Sequence, residues 1–117
     1  MRDETNPLLG IPSIIQELST EIGDTLLSVL AGIRDSNLPR EWREGVVDPT
    51  EDEEVRMRLA YQVWRDLVDA EGPDTARLWL VGRNPVLEQP PAIAIREDRL
   101  AEVRAAADGF IAGTWSL

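Results

Sequence analysis

Apolar residues recur along this chain at steps of three and four, the spacing that places them on one side of an α-helix. From Ser13 the series Ile14, Leu18, Ile22, Leu26, Val29 and Leu30 shares one broad face; Gly23 breaks or bends the helix and Gly32 ends it. Residues 54–71 carry two adjoining stripes: Val55, Leu59, Val63 and Leu67, then Met57, Tyr61, Trp64 and Val68. Arg58, Gln62, Arg65, Asp66 and Asp69 take the remaining face. Two apolar sides need two packing partners, so this helix is predicted to bridge the two halves of the chain. Gly72-Pro73 stops it and starts the next.

Residues 76–87 read ARLWLVGRNPVL and are almost without polar side chains up to Gly82. A helix apolar on most of its faces is buried on most of them. The segment is therefore predicted to be the hub on which the longer helices pack. Arg83 and the turn pair Asn84-Pro85 follow, then Val86 and Leu87, then the rigid connector Glu88-Gln89-Pro90-Pro91. A short helix is expected over 91–97 and a longer one over 99–112, with Leu100, Val103, Ala107, Phe110 and Ile111 on one face. No strand-like alternation and no internal repeat occurs. The pattern predicts one all-α domain. Residues 1–12, with two prolines and a glycine, form a loose arm; 13–72 form a first part and 73–117 a helical module, joined as one compact unit.

The connections carry their own signals. In 31–45, Gly32 makes a turn, Ile33 plugs into the core and Ser36 is the expected N-cap. Pro39 then falls at the third helical position, where its missing N–H costs nothing. Leu38 and Trp42 give this short helix a buried side, Arg40 and Arg43 point elsewhere, and Gly45 terminates it. The acidic run DPTEDEE over 48–54 lacks the glycine and ligand spacing of an EF-hand. Thr50 with Glu53 is instead a capping box for the long helix.

Composition narrows the chemistry. The 117 residues hold no cysteine and no histidine. That removes thiol chemistry, the usual general base and the commonest zinc ligand. Nothing sets two carboxylates together in an apolar pocket, so no enzyme, metal or cofactor is expected. The net charge of −10 argues against broad non-specific nucleic-acid binding. Residues 32–45 are a gap in that acidity, with three arginines against three acids. No apolar run reaches the roughly 20 residues that span a bilayer, and 1–12 lack the apolar core of a signal peptide; a cytoplasmic protein is expected. Trp42, Trp64 and Trp79 fit apolar patterns and are read as packing. Trp115 lies beyond the last periodic residue and either folds back as a lid or is offered to a partner.

Two segments carry a family likeness. Ala76, Trp79, Asn84-Pro85-Val86-Leu87, Pro91-Ala92 and the stretch from Phe110 to Gly113 resemble, in order, the toxin-binding domain of the Xre/MbcA/ParS-like antitoxins. Residues 31–45 are similar to the Xre-type helix-turn-helix of that family, with Gly32-Ile33 as the turn and 36–43 as the recognition helix. The resemblance implies an antitoxin that neutralises a cognate toxin, usually a RES-domain enzyme that consumes NAD, and that often represses its own operon. It implies that Asn37 and Arg40 read base edges while Arg34 and Arg43 hold phosphates, two copies of the chain acting as a homodimer on operator DNA. The toxin-binding surface is expected at Arg83, Asn84, Pro85 and Leu87, together with Trp115 and Leu117 of the tail. Asp35, Glu41 and Glu44 leave the helix-turn-helix segment without net positive charge. Three readings therefore stand together: an autoregulating antitoxin, a non-catalytic adaptor whose helix-turn-helix is only scaffold, and a stand-alone transcriptional regulator.

Overall fold

The computed structural model describes residues 10–113, which form seven helices and no named strand. In order they are α1 (Ile11–Ile22), α2 (Asp24–Ala31), α3 (Leu38–Glu44), α4 (Glu51–Glu71), α5 (Pro73–Val81), α6 (Pro91–Arg96) and α7 (Leu100–Ala112). The all-α class follows from the 3.6-residue periodicity, as expected.

Gly23 breaks the first series into two helices by taking φ 88° and ψ 156°, a conformation that strains any residue with a Cβ. Both arms still turn their apolar side inward: Ile14, Ile15 and Leu18 from α1, Leu27 and Leu30 from α2. The long helix begins at Glu51, earlier than the expected 54, because the capping box acts at Thr50 itself. Thr50 Oγ1 accepts from the Glu53 amide at 3.2 Å, and Glu53 Oε1 accepts from the Thr50 amide at 2.8 Å. The four acids of its first turn face the positive end of the helix dipole. The acidic run is thereby a helix start.

α4 is the hub, packing against α1, α2, α5, α6 and α7. Met57, Ala60, Val63, Trp64 and Leu67 are its buried residues. Val55, assigned to an apolar stripe, is 46% exposed, whereas Met57, two residues on and in the other stripe, is fully buried. The expectation that 76–87 form the hub is corrected. α5 packs on α4 and α6 and buries only Ala76, Trp79 and Leu80. Leu78 and Val81 face outward at 69% and 50% exposure. An apolar sequence obliges a helix to be buried only where a second layer exists to cover it, and nothing among the described residues covers this side of α5.

The two halves of the chain interlock rather than sit side by side. α6 turns Pro91, Ala92, Ala94 and Ile95 inward, and its broadest packing is with α2. The small Ala side chains let the two backbones approach closely. Trp42, Trp64 and Trp79 all belong to the core, and the Trp79 and Phe110 rings stand 6.4 Å apart, which links α5 to α7. No helix among the described residues is long and apolar enough to cross a membrane.

Candidate interaction surfaces

Local hydrogen bonds close residues 83–89 into a rigid loop after α5. Asn84 Oδ1 accepts from the amides of Val86 (2.9 Å) and Leu87 (3.1 Å), an Asx turn that Pro85 favours by fixing its own φ. The Asn84 amide donates to the Gln89 carbonyl at 3.2 Å, and the Glu88 amide returns to the Asn84 carbonyl at 2.6 Å. Arg83 Nη1 donates to the Glu88 carbonyl at 2.7 Å, and Arg99 Nη1 donates to the Leu87 carbonyl at 2.9 Å, pinning the loop to the start of α7.

The expected partner residues divide here. Asn84 and Leu87 are buried, so they shape the loop instead of facing outward. Arg83 and Pro85 are exposed. Val86, within the expected 83–87 stretch, is 56% exposed; Leu78 and Val81 on the preceding helix, which the sequence pattern did not single out, are exposed with it. Leu78 and Val81 lie three apart on one side of α5. Their apolar character was legible; their exposure was not, because it depends on where neighbouring helices end. Trp115 and Leu117 lie outside the described residues.

Around α3 the local geometry also differs from expectation. Ser36 is not the N-cap. Asp35 makes the turn, accepting from the Asn37 amide with its side chain at 2.9 Å and from the Leu38 amide with its carbonyl at 3.1 Å. Asn37 is the cap residue, in αR conformation and without a side-chain cap bond, and α3 runs only from Leu38 to Glu44. Pro39 becomes the second helical residue and is buried. The connection over 32–37 is thereby longer than the turn of about 3–4 residues that joins a helix-turn-helix.

Of the four residues expected at DNA, Arg34, Asn37 and Arg40 are exposed, and neither Arg34 nor Arg40 forms an ion pair among the described residues. Arg43 is different. Its Nη1 donates to Ser19 Oγ at 2.7 Å and to Asp24 Oδ1 at 2.9 Å, tying α3 to α1 and α2. Burial pushes the Asp24 carboxyl up, but the hydrogen bonds with Ser19 and the Arg43 guanidinium hold it below its ordinary value. Arg43 thus serves an internal carboxylate. A hollow of about 330 Å³ lined by Gln16, Ser19, Thr20, Asp24 and Arg43 lies there.

A second hollow, of about 430 Å³, opens between the C-terminal halves of α4 and α7. Asp66, Asp69 and Asp108 rim it, and Ala70, Ile111 and Ala112 complete its lining. Arg104 bridges two of the acids, at 2.9 Å to Asp66 and 2.6 Å to Asp108. No group of three or more His, Cys, Asp or Glu suited to a metal occurs among the described residues. Compared with protein-family models, curated proteins and solved structures, the chain matches none.

Proposed function

We propose that this protein is a non-catalytic, antitoxin-like binder that seats the outer side of α5 and the 83–89 loop on a partner enzyme and blocks its substrate cleft. One observation carries the reading. Leu78, Val81 and Val86 are exposed at 69%, 50% and 56%, on a helix and a loop held by their own hydrogen bonds. Large apolar groups on a rigid support desolvate on docking while little chain entropy is lost. Arg83, exposed beside them, supplies a cation for an acidic or carbonyl-rich rim. The partner class, a RES-type enzyme that consumes NAD, comes from the resemblance of residues 76–113 to antitoxin toxin-binding domains. The adaptor reading uses the same surface for a non-toxic partner.

Co-expression with a RES-type reading frame encoded beside this chain is the direct test. Growth is expected to recover when the chain is present and to fail again with Leu78→Asp and Val81→Asp, whose circular dichroism and thermal midpoint stay those of the parent. Full rescue by the double variant would place the contact elsewhere, and the absence of any neighbouring toxin gene favours the adaptor.

Autoregulation through α3 is the second reading, favoured by the exposure of Arg34, Asn37 and Arg40. Opposing it are the internal engagement of Arg43 and the acids Asp35, Glu41 and Glu44 beside the arginines. Three contacts in a field of net charge −10 would bind only at low salt. Titration of the chain's own promoter fragment at low and moderate salt, with Arg40→Ala as the control, decides this branch; no shift at low salt assigns α2 and α3 to scaffold.

A further inference from the structure

Opposite charges bracket the exposed apolar groups of α5. Asp74, Leu78 and Val81 stand at positions i, i+4 and i+7, one stripe along the outer side of the helix. The Asp74 side chain, in the first turn, is 93% exposed, with one carboxylate oxygen held by Arg77 at 2.8 Å. Arg83 stands beyond the last turn, is exposed, and forms no ion pair among the described residues. Its Nη1 serves the Glu88 carbonyl at 2.7 Å, which leaves the other N–H groups of the guanidinium to water. The midpoint between Asp74 and Arg83 lies one residue, about 1.5 Å of helical rise, from the midpoint between Leu78 and Val81. The stripe is therefore nearly self-complementary. Half a turn about an axis through that midpoint carries Leu78 onto Val81 and Asp74 onto Arg83, which is the property an isologous interface requires.

We propose that the outer side of α5 pairs with that of a second copy of this chain, the two helices antiparallel about a two-fold axis between Leu78 and Val81. Leu78 and Val81 of each copy leave water against those of the other, and Asp74 of each copy meets Arg83 of the other at the two ends. The 83–89 loop of each copy lies against the first turn of the other's α5, where Pro73 is exposed to meet Val86. The charges fix this register: a parallel pairing would set Asp74 against Asp74 and Arg83 against Arg83. The stripe and loop fall well short of the roughly 20–30 residues a side of a stable interface, and each copy carries a net charge of −10, so the pairing is weak and reversible. One consequence rests on the reading of this side as the partner surface: self-pairing and partner docking exclude one another. The free chain covers its apolar stripe with a second copy, and the partner separates the two.

Sedimentation equilibrium of the isolated full chain tests this. The mass is expected to rise from one copy toward two as the concentration is raised from about 1 μM to about 1 mM. Asp74→Arg alone and Arg83→Asp alone each set like charges together at both ends and are expected to weaken pairing about tenfold. The double variant restores opposite charges with the ends exchanged and is expected to recover the parental pairing. Leu78→Asp abolishes it. Both charged positions are exposed, so circular dichroism of the reversal variants is expected to stay that of the parent. A chain that stays monomeric at about 1 mM overturns the proposal and leaves the stripe to the partner enzyme alone. A dimer that the single reversals leave unchanged, or that the double variant does not restore, also overturns it, since the two copies then meet elsewhere. No partner enzyme enters these measurements, so their failure leaves the partner reading standing, and failure of the co-expression test leaves the self-pairing standing.

Discussion

Arg56 and Gly32 stand so close that one fixes the identity of the other. Arg56 Nη1 donates to the Ala31 carbonyl at 2.8 Å, and a Cβ added to Gly32 would lie 2.9 Å from that same nitrogen. The rest of the guanidinium grips Asp98, at 2.9 Å through Nε and 3.2 Å through Nη2. A single α4 side chain thus fastens the end of α2 to the turn between α6 and α7. The hydrogen bond to Asp98 raises the Arg56 pKa against the opposing effect of burial.

Gly32→Ala is expected to destabilise the fold by about 1–2 kcal/mol, because φ of +83° is costly for a residue with a Cβ and the methyl meets the guanidinium. Arg56→Ala leaves a buried carbonyl without its donor and is expected to cost about 1–3 kcal/mol. In the double variant the crowding disappears while the backbone strain remains, so the combined loss falls short of the sum. Urea unfolding of the four proteins checks this; strict additivity would show that the close approach carries no energy.

Acid is expected to weaken the anchor between Arg43 and Asp24. The folded Asp24 carboxyl titrates below its ordinary value of 3.8. Its contribution is therefore fully present above that value and is lost as the pH falls through the lower folded one. Asp24→Asn should reduce stability at about pH 6 and flatten the loss as the pH falls below the ordinary value of 3.8. Part of the slope persists, since the Arg56 and Arg99 guanidiniums likewise lower Asp98 and Glu102. Thermal midpoints across this range for parent and variant supply the measurement; parallel curves would remove Asp24 from the account.

Neighbours on α5 should respond oppositely. Leu80 is fully buried and Leu78 is exposed. Leu80→Ala is expected to cost about 2–5 kcal/mol, whereas Leu78→Ser should change stability by less than about 0.5 kcal/mol. Equal losses in denaturant titrations would mean that the outer side of α5 is covered in solution.

Asn84 holds the Val86 and Leu87 amides through its side-chain oxygen alone. Asn84→Asp keeps that acceptor and should retain stability, while Asn84→Ala strands two amides beside the core and should cost about 1–3 kcal/mol. Hydrogen exchange at the Val86 and Leu87 amides is the specific check: faster exchange in Asn84→Ala and unchanged exchange in Asn84→Asp.

Interactions a few residues long were legible in the sequence. The 3.6-residue apolar spacing determined the all-α class; the capping box at Thr50 and Glu53, the break at Gly23 and the stops at Gly32, Gly45 and Gly72 come from backbone chemistry that any fold would share. The buried tryptophans were legible for the same reason. The features that escaped the sequence depend on partners far along the chain. Ser36 has the chemistry of a cap, yet Asp35 makes the turn. Arg43 reads as a free cation until folding brings Ser19 and Asp24 beside it. Val55, Leu78 and Val81 satisfy helical periodicity but lie where no second layer covers them. Periodicity states that a helix has an apolar side; only the packing of α4 against five neighbours decided which apolar sides were closed and which were left to water.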